Sequence, residues 1–142
     1  METYVVNVEA AVHRDGEYLL VERAAEEDHA AGLLSLVGGK VEGMTDEPDA
    51  LERTVERELD EEVGVAVSDL AYVASTAFTT DGGEQVVNVV FRAEYESGEA
   101  RVREPEEIAA VHWRSPAEIA SDDDVPAFTR EYVEAAEERC RE

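Results

Sequence analysis

Three carboxylates, Glu58, Glu61 and Glu62, fall at i, i+3 and i+4 within the run RELDEEVGV, residues 57 to 65. On a helix this spacing puts them on neighbouring positions of one face. Like charges so placed repel unless burial raises their pKa values or a cation neutralises them. Hard oxygen ligands select Mg²⁺ or Mn²⁺, ions that keep several waters and are usually completed by substrate phosphates. Arg57, at the head of the cluster, is spaced to brace Glu61 one turn on. Glutamate fills 26 of the 142 positions, so the triad alone does not separate a metal site from a solvated acidic face. The flanking sequence has to decide.

The elements that would hold these residues can be read from patterning. Leu51, Val55 and Leu59 recur at four-residue spacing from Asp49 to Val63, which predicts a helix with a buried stripe beside the carboxylates. Gly64 then stands where a helix ends in a left-handed residue. Upstream, two extended runs, Tyr4–His13 and Glu17–Glu22, are joined at Asp15-Gly16, a strong hairpin signal. LLSLV reads as a short strand that runs into a glycine-rich loop, GGKVEG. Downstream come a second hairpin (LAYVASTAFTT, the turn DGGEQ, VVNVVFRAEY) and a short strand, IAAVHW. Ser115 is a plausible N-cap with Pro116 at the first helical position, and residues 126–141 read as a C-terminal helix. The expected fold class is α+β: a single domain, residues 1–142, with a mixed sheet, a central helix and a terminal helix.

Bulk properties narrow the function. Twelve basic against 36 acidic residues give a net charge of −24, with 44% hydrophobic residues, a globular composition with an unusually acidic surface. Lys40 is the only lysine. Such a chain would repel nucleic acid and anionic membranes. The single cysteine, Cys140, has no internal partner, and no apolar run approaches membrane length. We read a cytoplasmic protein of halophilic type.

The stretch GGKVEGMTDEPDALERTVERELDEEVGV, Gly38 to Val65, resembles the box of the Nudix hydrolases, which cleave nucleoside diphosphates linked to another group. Arg57, Glu58, Leu59, Glu61, Glu62, Gly64 and Val65 all match its second half. The first half departs: Asp49 stands where the family has Glu, Val37 where Pro often precedes the glycine pair, and the loop before the helix is longer. A further match is Glu107, six residues before Trp113, where family members often carry a loop glutamate that reaches the metals.

The resemblance implies an α/β/α sandwich and Mg²⁺ ions, with Mn²⁺ as an alternative, held by the Gly38 carbonyl, Glu58, Glu61, Glu62 and Glu107. A carboxylate, Glu58 or Glu107, would serve as general base, with Arg57 in support. Cations would also explain how an acidic chain binds an anionic nucleotide. Arg23, Lys40 and Gly39 are the candidate substrate-binding residues; Arg23 is equally spaced to pair with Glu26 or Glu27. Phe78 and Leu36 read as core residues before base-stacking ones, Trp113 as a core aromatic and His29 as a surface loop residue. The expected activity is nucleoside triphosphate pyrophosphohydrolysis, as in nucleotide-pool cleaning. ADP-ribose or nucleotide-sugar hydrolysis, and a silent nucleotide-sensing domain, stay open, as do a monomer and a homodimer.

Overall fold

The computed structural model describes residues 1–24 and 32–140; Glu26, Glu27 and His29 lie outside them. The first hairpin forms as expected, β1 (Val5–Arg14) and β2 (Glu17–Arg23), with Asp15 at φ 48° and Gly16 at φ 81°. Two consecutive positive φ values twist a two-residue turn to match the flanking strands. β1 then changes partner along one edge. His13 and Arg14 pair with β2, while Asn7–Ala10 pair antiparallel with β4 (Val37–Lys40). The short β3 (Leu34–Ser35) lies outside β2.

The glycine pair therefore lies in a strand, not in the loop expected from its composition. A Cβ on Gly38 would come 2.0 Å from the Val8 carbonyl oxygen, and one on Gly39 would meet a carboxylate described below. These glycines serve close approach rather than turning.

Helix α1 (Ala50–Val63) starts after Asp49, itself left-handed at φ 55°, and ends at Gly64, φ 73°, whose N–H bonds the carbonyls of Leu59 and Asp60. The second hairpin is longer than predicted: β5 (Ala66–Thr79) and β6 (Gln85–Ser97). β5 starts four residues before Leu70 because irregularities near Asp69, at φ 52°, interrupt its alternation without ending its pairing. β6 lies parallel to β1 from Val5↔Val86 to His13↔Glu94, and β7 (Ile108–Arg114) pairs with β2. Ser115 caps α2 (Pro116–Ser121) through a capping box with Glu118, and α3 (Ala127–Cys140) follows.

The main strand order is β3-β2-β1-β6-β5. One core, with Val8, Val12, Val55, Leu59 and Phe91, fills the space between sheet and α1. The other, with Ala11, Tyr18, Leu20, Ile119, Val133 and Ala136, lies under α2 and α3. The result is the α/β/α sandwich that the sequence suggested. Trp113 packs against the first core and carries the Arg14 guanidinium 3.9 Å from its ring centroid. No helix among the described residues is long and apolar enough to cross a membrane.

Candidate active site

The apolar stripe of α1 decides where its carboxylates go. With Val55 and Leu59 turned into the core, Glu62 is carried down with them and is 1% exposed. Its Oε1 lies 4.0 Å from Arg23 Nη1, and its Oε2 is buried without a hydrogen-bond partner among the described residues. Glu58 is half-buried one turn earlier, while Glu61 is exposed at the rim. Burial, and then the nearby Glu58 charge, push Glu62 up to about 9. Glu58 is raised too, chiefly by burial, with Arg57 pulling it back and the Glu61 charge adding to the rise.

Arg57 does not brace Glu61 as its spacing suggested. Its Nη2 donates to Glu58 Oε1 at 3.3 Å and to the Lys40 carbonyl at 3.2 Å, and its Nη1 donates to the Glu42 carbonyl at 2.9 Å. The guanidinium thus ties the helix carboxylate to the end of β4. Gly39 lies on the other side of the same carboxylate, where an added Cβ would stand 2.5 Å from Glu58 Cδ. Arg57 and Gly39 together hold Glu58.

Glu107 joins from another part of the chain. Its carbonyl accepts from Ala24 N–H at 2.9 Å, beside the β2–β7 pairing, and a tight turn bonds its N–H to the Glu104 carbonyl at 2.9 Å. Carboxylate oxygens of Glu62, Glu104 and Glu107 lie within 4.8 Å of one another. Glu104 was missed from sequence. Its only signal was a place three residues before Glu107 in REPEEI, among other acids. Burial, and then Glu107, raise it to about 7.

A cleft of about 510 Å³ opens beside Glu58, Glu62 and Glu107. Arg23, Gly38, Gly39, Lys40, Glu58, Glu62 and Glu107 line it, so most of the residues singled out by sequence meet in one place. Glu61 is not among its walls, although its charge acts on both Glu58 and Glu104. The Lys40 ammonium lies 4.0 Å from Glu84 Oε1. Phe78, read as a core residue, is 48% exposed near the end of β5, where little packs over it. Leu36 is buried and lines the cleft; Phe128, at the start of α3, supplies an exposed aromatic there. A separate hollow of about 380 Å³ between α2 and α3 contains none of these carboxylates.

Glu9 and Asn7 also line the cleft, and neither was singled out from sequence, because in a strand they read as ordinary outward-facing polar positions. Burial pushes Glu9 up to about 7, against the opposing pull of the Asn88 hydrogen bond and of Arg23.

A sandwich with a glutamate-walled cleft beside a glycine strand defines the class as a Nudix-type hydrolase. The NUDIX domain model matches residues 3–136, and the chain belongs to that family. It is 36% identical over 104 residues, 72% of its length, to the NAD-capped RNA hydrolase NudC of Escherichia coli O1:K1. It is 31% identical over 140 residues to NudC of Mannheimia succiniciproducens, covering 93% of this chain. The chain spans 36% and 48% of the lengths of these two relatives. The MutT NUDIX hydrolase of Burkholderia pseudomallei superposes with a TM-score of 0.80 at 33% identity, covering 94% of this chain and 98% of that one.

Proposed function

We propose that this Nudix hydrolase uses Mg²⁺ to cleave a diphosphate linkage in a nucleoside diphosphate derivative, a nucleoside triphosphate foremost. The observation that carries the reading is the buried, unpartnered Oε2 of Glu62 amid Glu58, Glu104 and Glu107. A buried carboxylate crowded by like charges is costly unless a cation completes it. The all-oxygen donor set fits a hard divalent ion.

Glu58, Glu62, Glu104 and Glu107 would hold such an ion, with Glu61 at the rim and the Gly38 carbonyl as further donors. When bound, the ion neutralises charge on the diphosphate and lowers the pKa of an attacking water. Arg57 fixes the rotamer of Glu58 and the end of β4, which keeps the carboxylate oriented. Glu58 or Glu107 takes the proton of the attacking water at a carboxylate oxygen. Arg23 and Lys40, the two cations lining the cleft among the described residues, would receive phosphate oxygens of the substrate. Gly39 leaves room for the Glu58 carboxylate beside the strand that substrate would approach.

The names of the NudC relatives favour a second reading, in which the substrate is a dinucleotide such as NAD, free or as an RNA cap. The −24 charge weighs against a long RNA, since its phosphates would be repelled.

The test is hydrolysis, in molar KCl with Mg²⁺ and again with EDTA, of nucleoside triphosphates, ADP-ribose, nucleotide sugars, NAD and NAD-capped RNA. Turnover that needs Mg²⁺ and collapses in Glu62→Gln supports the hydrolase. Tight binding without turnover of any compound would instead make the domain a nucleotide sensor.

A further inference from the structure

β5 ends the main run of strands: β6 pairs with one side of it, and among the described residues no strand pairs with the other. Such an edge leaves backbone N–H and C=O groups open to a further chain, and proteins close it with bulges, proline or charge. The two halves of β5 differ in this respect. Over residues 66–74 the register to β6 is irregular, and the one charged residue of the strand, Asp69, stands there. Over residues 74–79 the pairing runs unbroken, from Ala74↔Val90 to Thr79↔Gln85. This half, ASTAFT, has no proline and no charge, in a chain of which 34% is charged. Residues 75–79 are all exposed, Phe78 to 48%. None of them lines the cleft, so the catalytic reading leaves an exposed phenylalanine on an open edge unexplained.

The half-strand itself selects the occupant. Without charge it attracts neither a basic nor an acidic partner. It also lets two chains of net charge −24 meet without setting carboxylates of the seam against one another. Its sequence fits itself. Thr76 faces α3, since its Oγ1 accepts from the Tyr132 hydroxyl at 3.1 Å. Alternation then puts Ala74 and Phe78 on that same face. In an antiparallel pair of β5 strands about a twofold axis through Thr76, Phe78 of each copy stands opposite Ala74 of the other, and Ser75 opposite Ala77. Large meets small on the α3 face, and small meets small on the other face. The pairing is isologous and closed, so it covers both edges at once. An unrelated strand would satisfy the backbone groups without this match of side chains.

We propose that two copies of this chain pair through residues 74–79 of β5, antiparallel about Thr76, into a twofold dimer with one continuous sheet. The pairing does not depend on the hydrolase reading.

The experiment is size exclusion with light scattering, over a range of protein concentrations, in low salt and in molar KCl. The wild type should reach twice the chain mass in molar KCl and dissociate more readily in low salt, where the net charge is less screened. Ala77→Lys and Phe78→Glu put like charges at the seam, and each should raise the dissociation constant by about 100-fold. Thermal melts report that each variant is folded. The register has its own test. In a Cys140→Ser background, Thr76→Cys should link to its own copy on mild oxidation, because a residue on the axis faces itself within reach of a disulfide. Tyr72→Cys, off the axis, should link far more slowly. A wild type that stays monomeric in molar KCl, or that grows beyond a dimer, overturns the proposal. So does a dimer that survives in both folded charge variants, or a Thr76→Cys that links no faster than Tyr72→Cys.

Discussion

Two glutamates of the cleft stand in different company. Glu62 and Glu9 are both glutamates set into the protein, and burial raises both, to about 9 and about 7. Around Glu62 stand Glu58 and Glu107, whose charges add to the burial penalty, with Glu104 close by. Beside Glu9 stands a neutral amide whose orientation is fixed by Asn7. A carboxylate that is desolvated and also crowded calls for a cation. One that is desolvated but hydrogen-bonded on one oxygen can offer the other to a neutral ligand. Burial alone does not say which role a carboxylate has; its neighbours do.

The sharpest way to break this comparison is Glu62→Gln against Glu9→Gln. The first should lower kcat by about 10³ on every substrate alike, the scale of a lost group that stabilises transition-state charge. The second should cost less, because an amide at position 9 can still accept from Asn88 Nδ2. Equal, substrate-independent losses in steady-state kinetics would mean that both carboxylates belong to one catalytic unit.

Gly39→Ala comes next. The added methyl would fall 2.5 Å from Glu58 Cδ, so the carboxylate must move. About 100-fold in kcat is expected, the scale of a displacement of about 1 Å at a reacting geometry. Steady-state kinetics on the preferred substrate reads the loss. Arg57→Lys should cost less, about 10-fold, because a lysine cannot hold Glu58 and two carbonyls in one fork.

The smallest effect is on stability. Without divalent ions, Glu62 holds a proton in the folded state that the unfolded chain has already released above its ordinary value of 4.5. That contribution is complete below 4.5 and fades as pH rises towards about 9, so the melting temperature in EDTA should fall across this window. Mg²⁺ should raise it by a few degrees, more at pH 8 than at pH 6, since binding to the native state alone is stabilising. In Glu62→Gln both the slope and the Mg²⁺ shift should shrink. Differential scanning fluorimetry in EDTA and in Mg²⁺ reads both, and equal shifts in the variant would place the ion elsewhere.

Much of this molecule was legible without coordinates where the cause is local. Asp15-Gly16 demands a hairpin because two successive positive φ values suit few other pairs. The Leu51/Val55/Leu59 stripe and Gly64 bound a helix by periodicity and by a left-handed stop, and Ser115-Pro116 starts another by capping. The i, i+3, i+4 spacing put Glu58, Glu61 and Glu62 on neighbouring positions of one helix before any packing was known. What only the tertiary structure decided depends on groups far apart in sequence. Rotation of α1 about its buried stripe took Glu62 to the interior and left Glu61 at the rim. The approach of β4 to Val8 and to Glu58 turned the glycine pair from an expected loop into a strand. The turn before β7 brought Glu104 to Glu62, and the parallel β1–β6 pairing set Asn88 beside Glu9, partners 79 residues apart. Local chemistry chooses the elements; which carboxylates are crowded together and which stand beside an amide is fixed only when distant strands and helices close on one another.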